Sequence, residues 1–254
     1  MAAPSHVVRS LLERIGGEIA ERTVLVNSAK GIEVETGNRI SEIAKEILPA
    51  GSFVCLSGPS FAKEVVLDHP TAIVAASSDP EAARFVQAAL SYKNFRVYTN
   101  GDVIGTELGG SVKNVMAIGA GMVSGLGLGA NSLAALITRG LAEMTRLAIS
   151  QGGQLETMMG LAGLGDLVLT CTGSLSRNRF VGEQLARGRT IAEITSEMTE
   201  VAEGLNTTRA VKTLADLSGV EMPIVNEVND VLYRGKSVRD AVNALMSRPL
   251  RDEI

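Results

Sequence analysis

The chain has no tryptophan, few aromatic residues, two cysteines and two histidines. Each scarcity removes a class of function. Cys55 and Cys171 are far apart and lie in apolar stretches, so they form no disulfide framework. They read as reduced interior thiols of a cytoplasmic protein. His6 and His69 have no Cys-x-x-Cys, His-x-x-x-His or carboxylate cluster beside them, and no metal site is expected. No apolar run has the length of a bilayer span. The opening stretch reads as an amphipathic helix, not a signal peptide, because charges interrupt it. Membrane insertion is therefore not expected. Basic residues are scattered and the formal net charge is −4, which argues against a nucleic-acid partner.

What remains is aliphatic residues, alanine and glycine. A length of 254 residues suffices for one large domain or two smaller ones, each with its own core. Up to about residue 104, short apolar β-branched runs ("TVLVN", "SFVCLS", "TAIVAAS", "FRVYTN") alternate with helical patterns. One helical pattern has Ile40, Ile43, Ala44, Ile47 and Leu48 on one face. Another opens with Asp79 as N-cap and Pro80 at the first helical position. This alternation predicts an α/β sheet with helices on its faces. From Gly105 onward no strand pattern follows. Leu133, Leu136, Ile137, Leu141, Met144, Leu147 and Ala148 share one helix face, and Thr190 with Glu193 forms a capping box. The expected organisation is an α/β domain over 1–104 and an all-α domain over 105–254.

One stretch, Gly125-Leu126-Gly127-Leu128-Gly129-Ala130, formally fits the dinucleotide fingerprint G-x-G-x-x-G/A. It lies between helical segments with no strand before it, so it reads as a turn. No other such motif occurs, and a nucleotide domain normally begins with it. The α/β domain therefore reads as partial, with its first strands missing, its pyrophosphate loop lost and one sheet edge unpaired.

Several residues could carry chemistry. Lys113 sits among Val112, Val115, Met116 and Ile118. It is either a solvated helix lysine or a buried amine of lowered pKa suited to acid–base work. Asp166, in a glycine-rich apolar stretch, is either a turn or N-cap aspartate or a carboxylate orienting Lys113 or a substrate hydroxyl. Arg177 and Asn178 are placed on a hydroxyl-rich loop with Ser174 and Ser176, where a guanidinium matches phosphate geometry. Lys30 and the "SGPSFAKE" turn fall at strand ends, where open α/β sheets gather ligands. Together these groups suit a small phosphorylated alcohol or ketone.

The segments "SAKG", "LSGPSFAKE", "ELGGSVKNVMAIGAG", "NSLAALITRGLAEM", "GLAGLGDLVLTC", "SRNR" and "VAEG" occur in this order. In them the chain resembles bacterial NAD(P)-dependent glycerol-3-phosphate dehydrogenase over nearly its whole length. The resemblance implies a Rossmann-like nucleotide domain followed by a helical substrate domain. It implies interconversion of sn-glycerol 3-phosphate and dihydroxyacetone phosphate in phospholipid precursor synthesis, with Lys113 exchanging the proton of the C2 oxygen. It also implies substrate contacts at Lys30, Gly58, Ser60, Lys113, Asp166, Ser176, Arg177 and Asn178. Contacts to NAD or NADP fall at Lys30, Ala62, Arg177, Val201 and Glu203, with binding expected to be incomplete without the glycine-rich segment. A homodimer is implied by analogy. A truncated, non-catalytic remnant that binds phosphate ligands or partners is the alternative. Hydroxyacid and 6-phosphogluconate dehydrogenases also place a lysine on a helical domain, but here Lys113 and Asn114 are adjacent rather than a helical turn apart.

Overall fold

The computed structural model describes residues 1–20, 23–49, 51–198, 201–250 and 252–253. The expected alternation is present. The order is α1 (Val8–Ile15), β1 (Val24–Asn27), α2 (Ile40–Ile47), β2 (Ser52–Ser57), α3 (Ala62–Val66), β3 (Thr71–Ala76), α4 (Pro80–Leu90) and β4 (Phe95–Asn100). Asp79 caps α4 as its sequence predicts, its carboxylate accepting from the Glu81 N–H at 3.0 Å with Pro80 in the first turn.

The four strands lie side by side in chain order. The β1–β2 and β3–β4 pairs are parallel and the β2–β3 pair is antiparallel. Strand residues alternate between faces. Val54, Ile73, Ala75 and Val97 meet Ala82 and Val86 of α4. Cys55, Val74 and Ala76 face the other way, onto Ala162. Beyond β1, Val8 and Leu12 of α1 pack with Ile40, Ile43 and Ala44 of α2. The edge of β1 is met by the first residue: the Met1 amino group donates to the Val26 carbonyl, and the Ser28 N–H donates to the Met1 carbonyl at 3.0 Å. Nothing in these contacts confirms the expected loss of first strands.

From Val103 the structure is helical, as expected. It comprises α5 (Val103–Gly125), α6 (Ala130–Ser150), α7 (Leu155–Met159), a π-turn over Leu161–Gly165, α8 (Asp166–Thr172), α9 (Arg177–Ala186), α10 (Ile191–Glu197), α11 (Glu203–Leu217), α12 (Pro223–Tyr233) and α13 (Val238–Met246). The fingerprint-like glycines join α5 to α6, and Gly127 takes a φ of +70° in that turn. Thr190 and Glu193 form the anticipated capping box on α10. No helix among the described residues is long and apolar enough to cross a membrane.

Helix α5 organises this half. It is buried all round from Gly105 to Val123, which agrees with a sequence that shows no polar face there. Asp102 starts it: its carboxylate accepts from the Gly105 N–H and the Gln154 N–H, each at 2.8 Å. Leu108, Val112, Met116 and Ile118 are fully buried in the main apolar cluster, each worth about 1.5–3 kcal/mol in transfer free energy. Helix α9 crosses α5 at backbone distance through glycines on both helices. A Cβ on Gly182 would lie 2.8 Å from the Met122 nitrogen, and one on Gly125 would lie 2.8 Å from the Glu183 carbonyl oxygen. This approach brings the first turn of α9 beside the middle of α5.

One expectation is corrected here. Arg177 and Asn178 are not on a loop; they open α9, with the Ser176 hydroxyl accepting from the Arg179 N–H at 3.2 Å as N-cap. Serine at that position is a helix-start signal that the surrounding glycine and hydroxyls obscure.

Gly182→Ala is expected to lower stability by about 1–3 kcal/mol, because the α5–α9 crossing has no room for a methyl group. Urea unfolding checks this, and an unchanged midpoint would show that the crossing relaxes freely.

Candidate active site

The π-turn over Leu161–Gly165 ends where Asp166 begins α8, and the carboxylate points back towards α5. Asp166 is 1% exposed, and burial of a lone carboxylate would be prohibitive. It is met by two lysines from different elements. Lys113 Nζ, from α5, contacts Oδ1. Lys30 Nζ, from the turn after β1, lies 2.6 Å from Oδ2. Burial alone would raise the Asp166 pKa, but the two ammonium groups outweigh it and hold the carboxyl below its ordinary range. Asp166 is thus not an N-cap or an isolated turn aspartate: Gly165 holds the cap position and the carboxylate pairs with both lysines.

Lys113 is 6% exposed. Burial pulls its pKa down, Asp166 pushes it back up, and Lys30 lowers it again, leaving it at about 8. Its second partner is the Thr170 hydroxyl at 2.8 Å. Thr170 lies four residues beyond Asp166 on the same face of α8 and donates to the Asp166 carbonyl at 2.6 Å. Nothing in the local sequence marks Thr170, because its partner Lys113 comes from another helix.

Lys30 also donates to the Gly58 carbonyl at 3.2 Å, and the Ser60 hydroxyl donates to that same oxygen at 3.0 Å. The "SGPS" turn therefore reaches the cluster by way of Lys30. Gly58 has a φ of +128°, which a side chain would strain. Next to it, the Ser57 hydroxyl is buried with no partner among the described residues. Gly110 faces it from α5, where a Cβ would come within 2.7 Å of the Ser57 oxygen.

Asn178 joins the cluster from the other side. Its amide donates to the Asn114 side-chain oxygen at 2.9 Å and its oxygen accepts from the Gly204 N–H at 3.0 Å. Adjacent residues on α5 thus serve two directions: Lys113 turns to α8 and Asn114 to α9. Asn114 was noted only as a neighbour of the lysine, yet it anchors Asn178. Ser176 is buried under the start of α9 and Arg177 is exposed on its first turn.

The remaining expected contacts are more dispersed. Ala62 is exposed at the start of α3 and Val201 is exposed before α11. Glu203, the first residue of α11, accepts from the Ser5 N–H at 3.0 Å and from the Ser5 hydroxyl. It therefore ties the helical half to the turn just before α1. Among the described residues no cluster of His, Cys, Asp and Glu is arranged to hold a metal ion.

Comparison with known proteins follows the same path. A family described as the NAD-dependent glycerol-3-phosphate dehydrogenase C-terminus matches residues 102–243, and its N-terminus counterpart matches residues 1–83. The protein named glycerol-3-phosphate dehydrogenase (NAD(P)+) of Citrifermentans bemidjiense is 53% identical over 253 residues, covering 98% of this chain and 76% of that relative. Its namesake in Geobacter sulfurreducens is 52% identical over 256 residues, covering 100% of this chain and 76% of that relative. The crystal structure of glycerol-3-phosphate dehydrogenase from Coxiella burnetii superposes with a TM-score of 0.94 at 40% identity, over 97% of this chain and 76% of that one. The Saccharomyces cerevisiae glycerol-3-phosphate dehydrogenase structure gives 0.83 at 26% identity, over 94% and 72%. The N-terminal match begins at residue 1 and gives no support to the expectation that the N-terminal nucleotide-binding segment is lacking.

Asp166→Asn is expected to lower stability by about 3–5 kcal/mol, because it leaves Lys113 buried without a counter-charge. Adding Lys113→Met to the same chain is expected to recover part of the loss. Denaturant unfolding of the single and double variants measures both, and equal stability of Asp166→Asn and the unaltered protein would contradict the charge cluster.

Proposed function

The chain belongs to the NAD-dependent glycerol-3-phosphate dehydrogenase family, and from that premise we propose that Lys113 exchanges the proton of the substrate's C2 oxygen while Arg177 holds its phosphate. The activity is that of the family: NAD(P)-dependent interconversion of glycerol 3-phosphate and dihydroxyacetone phosphate. The observation that carries the assignment of Lys113 is its amine, buried on α5 and held by Asp166 and Thr170.

The nicotinamide cofactor, when bound, gives or takes the hydride at C2. The chain's residues fit its reacting end at the carboxyl end of β2. There the Ser57 hydroxyl is buried with no partner among the described residues, a polar atom left for a ligand to meet, and the α5 position facing it is Gly110, where a Cβ would come within 2.7 Å of that oxygen. In this reading Lys30, Ala62, Arg177, Val201 and Glu203 hold the nucleotide. No residue of the Gly125–Ala130 turn does so, because that turn joins two helices instead of following a strand.

In reduction, hydride adds to the carbonyl carbon and the π electrons move to the oxygen. The Lys113 ammonium gives that oxygen a proton and becomes an amine. In oxidation, the neutral amine takes the hydroxyl proton as hydride leaves the carbon. Asp166 fixes the direction of the amine. Lys30, sharing that carboxylate, adds positive charge where the alkoxide develops. Gly58 and Ser60 border the substrate near Lys30. Ser176, Arg177 and Asn178 at the start of α9 take the phosphate, where a helix N-terminus and a guanidinium favour the same anion. The substrate domain is taken to begin at residue 105. The cytoplasm is the proposed location, supported by two free, buried cysteines.

Lys113→Ala is expected to lower kcat by roughly 10²-fold or more with a smaller change in binding. An equal loss in both would make Lys113 an anchor only. Because the Lys113 pKa is lowered to about 8, oxidation of glycerol 3-phosphate is expected to accelerate as pH rises through that value. Reduction should weaken over the same range. Rate profiles in both directions test this, and parallel profiles would remove the proton role. Arg177→Ala is expected to raise the KM for dihydroxyacetone phosphate, and an unchanged KM would remove its phosphate role.

A further inference from the structure

The "GPSF" turn does more than present Gly58 and Ser60. Two of its residues press on the two glycines that bracket α8. A Cβ on Gly165, just before Asp166, would sit in ordinary contact with Pro59 Cδ at 3.6 Å. At the other end, a Cβ on Gly173 would lie 2.5 Å from Phe61 Cε2 and 2.9 Å from Cζ. The Phe61 ring therefore lies directly on the Gly173 backbone, where no side chain could fit.

A short chain of contacts leads from that ring to Arg177. The Gly173 N–H is fixed to the Leu169 carbonyl of α8 at 2.8 Å. The Gly173 carbonyl accepts from the Ser176 N–H at 3.2 Å. The Ser176 hydroxyl caps α9 by accepting from the Arg179 N–H at 3.2 Å. Arg177 is the first residue of that helix. The Phe61 backbone is fixed at the start of α3, where its carbonyl accepts the first two hydrogen bonds of that helix, from Glu64 and Val65.

Phe61 has little to do with the apolar interior. It is half-buried and belongs to none of the five apolar clusters among the described residues. Instead its ring lies over the Gly173 backbone. The same turn binds Lys30 through the Gly58 carbonyl, so it touches the lysine side of the site and the arginine side at once.

We propose that Phe61 is a positioning residue for substrate binding: its ring, seated on Gly173, sets where the Ser176–Arg177 turn stands relative to Lys30 and Lys113. The inference rests on the reading of Arg177 as the phosphate ligand. Loss of the ring would free Gly173 to move and shift the guanidinium without touching the amine that exchanges the proton. A displacement of about 1 Å at a positioning contact is enough for large losses. The cost should fall on capture of the phosphorylated substrate rather than on the chemical step.

Steady-state kinetics with dihydroxyacetone phosphate on Phe61→Ala, Phe61→Tyr and Arg177→Ala test this. Phe61→Ala is expected to raise KM by roughly 10-fold or more with kcat within about threefold. Phe61→Tyr, which keeps the ring, should restore KM to within about twofold. A KM unchanged in Phe61→Ala, or a loss of kcat that Phe61→Tyr does not repair, overturns the inference. If Phe61→Ala does not fold, Phe61→Leu decides in its place: an unchanged KM there overturns the inference, and a raised one supports it. Arg177→Ala separates the two layers. If it raises KM while Phe61→Ala does not, the Phe61 role alone falls. If Arg177→Ala leaves KM unchanged, the phosphate reading beneath it falls.

Discussion

One carboxylate shared by two ammonium groups constrains the whole molecule. Asp166 cannot be buried without Lys30 and Lys113, and Lys113 cannot remain charged in the interior without Asp166. The three charges sum to one net positive, lodged in a place from which water is largely excluded. That residual charge suits an oxygen that becomes negative during reaction and is not fully cancelled by the pair that holds it. The cluster also joins three separate parts of the chain: the turn after β1, the middle of α5 and the start of α8. Its geometry is therefore a property of the fold, not of any one segment.

Small residues make that geometry possible. Helix α5 has to be buried on every side and still admit α9 at backbone distance, so it is built from glycine and alanine as well as leucine and methionine. The close crossing sets Asn178 against Asn114, the residue next to Lys113. The aliphatic, aromatic-poor composition is thus tied to a tightly threaded helical half in which a larger side chain has few places to go.

Much of this was legible from the residues. Asp79 with Pro80, and Thr190 with Glu193, announce helix starts because capping is local chemistry. The apolar neighbours of Lys113 pointed to a buried helix but left a solvated lysine open, and the fold decides for burial. The Gly125–Ala130 motif could be set aside because its flanks are helical. Other features depend on contacts that no local pattern encodes. The antiparallel β2–β3 pairing is one such feature. The start of α9 at Arg177 is another, since glycine and serine in "TGSLS" look like loop while Ser176 acts as a cap. Thr170 was passed over because a threonine four residues beyond an aspartate signals nothing until Lys113 arrives between them. The seven motifs in order carried the family because their register is specific. They could not say how the "GPSF" turn leans on α8.

The three charges also differ in how far each must travel along the chain. Asp166 meets Lys113 from 53 residues away, but meets Lys30 from 136. Closing the longer loop carries the larger entropic cost, and non-local contacts generally form late. The helical half can therefore assemble its share of the cluster first, leaving one half-satisfied carboxylate as a template. The sheet half, arriving with Lys30, then meets a carboxylate oxygen already held in place by Lys113, so the same cluster also gives the two halves a reason to close in the right register.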